Sequence, residues 1–272
     1  MIRVIDGPTD MNSLSHSSSV NRTPAVSGWL SMVFVTCICL FVPWQTTFAE
    51  SDKPLKTFRA QYSVENDYIT AGNATVSLLK NSEGSFDFII QTSPSGIFKW
   101  SGKGKIREHS VLPSLTHPFE SVRYSYTDKG DSDRNYQIDF DRKNNKFSTT
   151  RGTKTVVDSL EPGTLDRLSM TLLLLHEFQN NANFSTFEAK IQRRSRVQKI
   201  VFTNEGSERI DTGSWETDAT RINIKREASN RKTIMWLATT TADSQVIPIK
   251  IEQFRHDKLT MRLNLTKILA VE

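Results

Sequence analysis

Alternation of apolar and polar residues with a period of two is the feature that most constrains the fold of this 272-residue chain. Successive side chains of a β-strand point to opposite faces of a sheet, so each such run predicts a strand with one apolar face. The runs are Phe58 to Val64, Ala74 to Leu78, Phe86 to Ile90, Tyr136 to Phe140, Phe187 to Ile191, Ile222 to Ile224, Ile234 to Ala238, Ile247 to Ile251 and Leu259 to Leu265.

Short polar clusters of the kind found in turns separate these runs. They lie at Asn81–Gly84, around Gly130, at Asn144–Asn145 and at Asn204–Gly206. Strands that follow one another this closely are joined by hairpins, because a parallel pair needs a much longer crossover connection. The sequence therefore predicts a mainly β protein built on a single large curved antiparallel sheet or half-barrel.

One segment, residues 164–179, departs from the period of two. Leu165, Leu168, Leu172 and Leu175 recur at helical spacing after a Pro-Gly pair, and Asp166 stands in the first turn. An acidic residue there is favoured by the helix dipole. Because the segment is apolar on nearly every side, we expect one buried helix against the concave face of the sheet.

Residues 1–49 have the layout of a secretory signal peptide. Residues 29–44 form the longest apolar run, and Thr47-Phe48-Ala49 offers a small-residue exit, so cleavage is expected after Ala49. The alternative is an uncleaved anchor in the inner membrane, although the run is shorter than the roughly 20 residues that span a bilayer. Residues 50–272 are then expected to form a single β domain in the periplasm.

Both cysteines of the chain, Cys37 and Cys39, lie in the segment expected to be removed. The remaining chain has no thiol for a disulfide, a nucleophile or a zinc site.

Residue types of a nucleophilic triad occur together at Asp166, Ser169 and His176. On one helix, however, Ser169 and His176 would stand about 10.5 Å apart, beyond hydrogen-bond reach. His176-Glu177 also lacks the second histidine of a zinc-protease helix, since Asn180 stands four residues on. Asp166 and Ser169 are therefore interpreted as residues that stabilise the helix start. The sequence predicts a protein that is not an enzyme and uses no metal or cofactor.

Large side chains on the predicted strands and helix are candidates for ligand contact. If the sheet curves around the helix, some of them line an apolar cavity suited to an acyl chain or similar amphiphile. Alternatively, the helix fills that space and no cavity exists. The candidates are Trp100, Phe119, Tyr124, Phe140, Leu172, Trp215 and Trp236.

The densest positive cluster of the chain comprises Arg193, Arg194, Arg196 and Lys199. Nucleic acid is a poor partner for an exported protein, so anionic lipid headgroups or an acidic protein surface are the expected partners of such a face. The alternative is a solvated strand face that prevents edge-to-edge pairing.

Four stretches of the sequence resemble the bacterial envelope family known as domain of unknown function 3108. They are FRAQYSVENDYITAGNATVSL (58–78), NYQIDFDRKNNKF (135–147), PGTLDRLSM (162–170) and MWLATTTADSQVIPIKIEQ (235–253), and the resemblance extends over about residues 57–266. It implies an exported, mainly antiparallel β protein without an established activity. It also implies structural roles for Tyr62, Gly72, Asp166, Ser169 and Pro248, and a shape similar to the half-barrels of lipoprotein carriers.

These observations favour a non-enzymatic protein of the cell envelope that binds a lipid or a lipoprotein in the concave face of its sheet. The alternative function is a scaffold or accessory subunit of an envelope assembly that acts through the basic strand face or contacts an anionic membrane surface.

Overall fold

The computed structural model describes residues 53–66, 69–96, 104–240 and 244–271, which belong to a unit spanning Glu50–Glu272. The expected signal or anchor (residues 1–49) and Trp100 lie outside the described residues. Within them, no helix has the length and apolar character needed to cross a membrane.

The described residues form fifteen strands and one α-helix. The first eight strands are β1 (Phe58–Asn66), β2 (Ile69–Lys80), β3 (Phe86–Pro94), β4 (Ile106–Leu112), β5 (Arg123–Asp128), β6 (Tyr136–Asp141), β7 (Lys146–Arg151) and β8 (Lys154–Ser159). Then follow β9 (Thr164–Leu165), α1 (Ser169–Asn180), β10 (Thr186–Arg193), β11 (Arg196–Asp211), β12 (Glu216–Arg226), β13 (Arg231–Thr239), β14 (Val246–Arg255) and β15 (Lys258–Leu269).

All fifteen strands belong to one sheet, in the order β8-β7-β6-β5-β4-β3-β2-β1-β15-β14-β13-β12-β11-β10-β9. The chain thus makes two antiparallel meanders, β1–β8 and β10–β15, which are joined where β1 pairs antiparallel with β15, and the short β9 is added in parallel to β10. A sheet with this many strands curls because each strand is twisted relative to its neighbour. The predicted single curved antiparallel sheet is confirmed, and it remains open rather than closing into a barrel.

The two edges of the sheet nevertheless approach each other. Thr149 on β7 donates a hydrogen bond from Oγ1 to the Arg194 carbonyl oxygen at 3.1 Å, beside the end of β10. The Arg142 guanidinium donates to the Thr164 carbonyl oxygen on β9 at 2.7 Å. These side-chain hydrogen bonds connect the two ends of the sheet in place of the strand pairing that would close a barrel. The concave space lies between the two meanders.

The concave, inner face of the sheet carries most of the apolar side chains predicted from the alternation. Phe58, Leu78 and Phe88 are in register across β1, β2 and β3, and each is at most 3% exposed. Helix α1 packs into this space through Leu172, Leu174 and Leu175, which are almost fully buried.

The helix begins at Ser169, five residues later than Thr164, where the predicted helix starts. Thr164 and Leu165 instead pair in parallel with Lys190 and Ile191 as the short strand β9. A contact with a strand more than twenty residues further along the chain overrides the local leucine spacing. The predicted helix start is therefore wrong, whereas the burial of the helix is confirmed.

The hairpin of β11 and β12 leaves the sheet and crosses its outer face. β12 pairs with β13 only from Thr220 to Lys225, and its earlier residues leave the sheet with β11. The tip of the hairpin reaches β15, where Thr212 Oγ1 donates to the Leu265 carbonyl oxygen at 3.2 Å. We call residues 205–219 the outer arm. Asn204–Gly206, expected to be a turn between strands, is instead an irregularity within β11 at which the arm bends away, with Gly206 at a φ of 90°.

Candidate functional site

A cavity of about 490 Å³ lies between the inner face of the sheet and the N-terminal end of α1. Its volume is within the range of small-molecule sites in proteins. Part of its wall is apolar and comes from both meanders and the helix: Ile106, Met170, Ile191, Ile200, Ile224 and Met261.

The rest of the cavity wall is strongly cationic. Arg193 and Arg226 line it with half-buried side chains, and the more exposed side chains of Arg134, Arg167, Arg194, Arg231 and Arg255 stand nearer its rim. Glu108 is the one carboxylate among the described residues that line it, against eight cationic side chains. The cavity therefore combines an apolar wall with an excess of positive charge.

Glu108 is already engaged by its neighbours. Tyr124 donates its hydroxyl to Glu108 Oε2 at 2.6 Å, and Arg167 Nη1 lies 3.2 Å from Glu108 Oε1. The carboxylate raises the pKa of Arg167, and burial together with the same carboxylate raises the pKa of Tyr124. Arg167 thus has its counterion within the protein.

Arg193 and Arg226 make no ion pair with a carboxylate of the described residues. Burial, together with repulsion from Arg193 and Arg167, lowers the pKa of Arg226 to about 10. Burial also lowers the pKa of Arg193. Arg226 stays charged at neutral pH, and its Nε is buried without a hydrogen-bond partner.

The strand register explains why these two arginines point inward. On β10, the apolar alternation of Ala189 and Ile191 continues at Arg193, and on β12 the alternation of Ile222 and Ile224 continues at Arg226. Each arginine occupies the next position of an inward-facing series. The sequence therefore contains a signal for the site. The sequence prediction instead placed Arg193 on a basic strand face and did not include Arg226.

The aromatic candidates named from the sequence lie around the cavity rather than in its wall. Phe119, Tyr124, Phe140 and Leu172 are all buried in the core. Tyr124 contacts two residues of the cavity wall, Glu108 through a hydrogen bond and Tyr136 with 5.8 Å between the ring centroids. The tyrosines that do line it are Tyr126 and Tyr136, whose rings stack at 5.7 Å between centroids.

Trp236 is buried on the outer face of the sheet, opposite the cavity. Ile224, which lines the cavity, pairs with Thr233, and Ile222 on the same face pairs with Met235, so the next residue of β13, Trp236, points to the other side. Trp236 donates from Nε1 to Glu208 of the outer arm, and the Lys250 ammonium lies 4.6 Å from its ring centroid. The expectation that Trp236 faces inward is wrong, because the outer arm buries a second apolar layer. Trp215, at the tip of the arm, is 37% exposed.

The basic cluster is divided between the two faces of the sheet. Arg193 and Arg194 line the cavity, and Arg196 pairs with Arg193 across the turn between β10 and β11. Lys199 pairs with Lys190 on the opposite face and makes an ion pair of 2.7 Å with Glu188. The four residues therefore do not form the single basic strand face that was expected.

The residues of the family motifs hold the scaffold around the cavity. Tyr62, on β1, donates its hydroxyl to the Pro248 carbonyl oxygen at 2.8 Å across the buried interior. A Cβ at Gly72 would collide with the Ser93 carbonyl oxygen on the neighbouring strand, so the close approach there requires glycine.

Asp166 organises the start of the helix. Its Oδ1 accepts from the backbone N–H groups of Leu168 at 2.6 Å and Ser169 at 2.9 Å, and its Oδ2 accepts from Ser169 Oγ at 2.8 Å. Ser110, on β4, donates to Oδ1 at 2.7 Å. One carboxylate therefore caps the helix and fixes it to the first meander.

Residues 57–263 match the family described as protein of unknown function (DUF3108). The chain belongs to this family. The match includes α1 and every strand named above except the end of β15. A comparison with curated proteins found no match.

Among solved structures, the DUF3108 chain is similar to a β-barrel-like protein of domain of unknown function DUF1849 from Brucella abortus. The identity is 10% and the TM-score 0.54, over 80% of this chain and 99% of that one. This likeness shows a shared fold.

Weaker similarity is found to MucB, with 10% identity and a TM-score of 0.30 over 80% of this chain and 54% of that one. It also extends to the MucA/MucB complex of Pseudomonas aeruginosa, with 8% identity and a TM-score of 0.15 over 78% and 88%.

Proposed function

We propose that the protein is an exported component of the cell envelope that binds an amphiphilic small molecule without chemical conversion. The observation that carries this proposal is the cavity beside the N-terminal end of α1, whose wall is apolar on one part and cationic on another. An amphiphile satisfies both parts at once, because its chain covers the isoleucines and methionines while its polar end meets the guanidinium groups.

The packing around the cavity supports a binding role over a purely structural one. Leu172, Leu174 and Leu175 already fill the interior along the middle of α1. The cavity lies where Met170 and Arg167, at the start of the helix, face the sheet. Protein interiors are normally close-packed, so a cavity of about 490 Å³ with an organised wall is typical of a ligand site.

Native mass spectrometry of the protein isolated from its own envelope fraction tests the proposal. We expect the wild type to carry a bound lipid-sized mass that is lost when Ile224→Trp fills the cavity. Val156→Trp, on exposed strand β8, is the matched control and should keep the ligand. Equal ligand occupancy in wild type and Ile224→Trp would reject the cavity as the binding site.

Export is part of the same proposal and rests on the sequence of residues 1–49. N-terminal sequencing of the mature protein is expected to begin at Glu50. A mature chain that retains residues 29–44 would replace the cleaved signal by a membrane anchor.

A second candidate function, attachment to an anionic surface, is favoured by a separate groove on the outer face of β1–β5. The groove, of about 550 Å³, has walls formed by Arg59, Lys105, Arg107 and Lys129. Small polar residues such as Thr75 and Ser77 form its floor. This groove, rather than the strands β10 and β11, is the basic surface that suits the scaffold alternative.

Sedimentation with lipid vesicles tests this second function. The wild type should bind phosphatidylglycerol vesicles more than phosphatidylcholine vesicles, and Arg59→Gln combined with Arg107→Gln should weaken that binding. Lys154→Gln combined with Lys258→Gln removes the same net charge elsewhere and should not. An equal loss of vesicle binding in both double variants would show that binding depends on net charge alone, and it would reject the groove as the binding surface.

A further inference from the structure

We propose that Arg193 and Arg226 form a binding site for a phosphate-class anion, the headgroup of the amphiphile that the cavity takes. This inference rests on the proposed function and specifies the chemistry of its ligand. It concerns the cationic part of the wall and names the group that this part binds.

The first argument is the distribution of counterions. Arg167 has Glu108 as a partner at 3.2 Å, Arg134 has Asp128 at 3.1 Å, and Lys232 has Asp257 at 3.2 Å. Arg193 and Arg226 have no such partner among the described residues, although both face the same cavity. A ligand anion would supply the missing negative charge.

The second argument is hydrogen bonding. The buried Nε of Arg226 has no acceptor, and an unsatisfied buried donor is unfavourable. A guanidinium presents a planar fork of N–H donors that fits the oxygens of a phosphate group in bidentate fashion. Two such forks match a phosphate better than a carboxylate, because a carboxylate offers only two oxygen atoms.

The third argument concerns neutral donors in the same wall. Tyr126 and Tyr136 line the cavity, and burial raises the pKa of both hydroxyl groups. They remain protonated at neutral pH and can donate to the same anion. Arg194, whose guanidinium lies 5.1 Å from the centroid of the Tyr136 ring, holds this side of the cavity mouth.

The proposal predicts that loss of a binding residue stabilises the ligand-free protein. Arg193 and Arg167 repel the Arg226 charge, so removal of that charge should relieve strain in the ligand-free state. Arg226→Gln is therefore expected to raise the melting temperature of the ligand-free protein and to weaken anion binding. A residue with a purely structural role would show a lower melting temperature.

Thermal melts of the full mature chain, stripped of ligand, provide the test. The probes are inorganic phosphate, chloride at equal ionic strength, a short-chain phosphatidic acid, and the diacylglycerol of the same chain length. We expect phosphatidic acid to raise the melting temperature of the wild type most. Its affinity should fall about tenfold or more in Arg193→Gln and Arg226→Gln, the loss that corresponds to one charged hydrogen-bonded contact. Arg226→Lys should recover part of it.

Lys154→Gln, which removes a charge from exposed strand β8, is the control and should behave as the wild type. Equal binding of diacylglycerol and phosphatidic acid in all variants would reject the anion site and leave the proposed amphiphile function standing. Stabilisation by inorganic phosphate alone, lost in both arginine variants, would support the anion site and reject the amphiphile. A lower melting temperature of ligand-free Arg226→Gln with unchanged phosphatidic acid binding would overturn the inference.

Discussion

Two buried polar side chains, Tyr62 and Asp166, determine how separate parts of the chain meet at the residue scale. Tyr62 bonds to a carbonyl oxygen 186 positions away in sequence, and Asp166 bonds to Ser110 on β4. Neither side chain reaches solvent, so every polar atom must find its partner inside the protein. These residues fix the positions of elements that apolar packing alone leaves free to slide.

Tyr62→Phe is expected to lower the free energy of unfolding by about 1–2 kcal/mol, because the Pro248 carbonyl oxygen loses its donor in a buried site. Burial raises the pKa of Tyr62, so the hydroxyl stays protonated and the difference between the two proteins should persist at mildly alkaline pH. Urea unfolding at pH 7 and pH 9 measures it. Tyr126→Phe, at a half-buried position, is the control and should change stability less.

Asp166→Ala is expected to cost about 3 kcal/mol, because it removes a helix cap together with a charged hydrogen bond to the first meander. Asp166→Asn keeps an acceptor at the same place and should cost less. Urea unfolding followed by circular dichroism gives both values. A loss below about 1 kcal/mol for alanine would show that water replaces the carboxylate and that the cap is dispensable.

At the scale of elements, the sequence predicted the strands well because each one shows its period of two locally. The start of α1 was not predictable in the same way, since Thr164 and Leu165 pair with Lys190 and Ile191 far along the chain. The outer arm was not predictable either. Nothing within β11 or β12 indicates that residues 205–219 leave the sheet and cover its other face.

Trp236 tests whether the outer arm is a structural layer. Trp236→Ala should lower the free energy of unfolding by about 3–5 kcal/mol, because the indole is buried between β13 and the arm. Trp215→Ala, at the exposed tip of the same arm, should cost much less. Differential scanning calorimetry of both variants measures the two stability losses. Equal small losses would mean that the arm opens without consequence for the sheet.

On the scale of the whole molecule, the cavity exists only because two meanders face each other. Glu108, Tyr126 and Tyr136 come from β4–β6, whereas Arg193 and Arg226 come from β10 and β12. Sequence reasoning could recognise the arginines as continuations of apolar alternations. It could not place them opposite Glu108, because the curvature and register of the complete sheet set that distance.

The pairing of β1 with β15 gives the last prediction, which concerns folding. Every other neighbour in the order of the sheet is also a neighbour in sequence, whereas this pair joins Arg59 to Leu269. Its formation must bring together the two ends of nearly the whole chain, and such long-range contacts slow folding.

A circular permutant that joins residue 271 to residue 53 by a flexible linker, with new ends between Pro162 and Gly163, converts the pair into a hairpin. It retains all fourteen pairs of neighbouring strands in the sheet. We expect it to refold faster than the wild type in stopped-flow fluorescence, with nearly unchanged equilibrium stability, because the same residues are buried. An unchanged refolding rate would show that the central pair forms after the rate-limiting step, and that docking of α1 or of the outer arm limits folding instead.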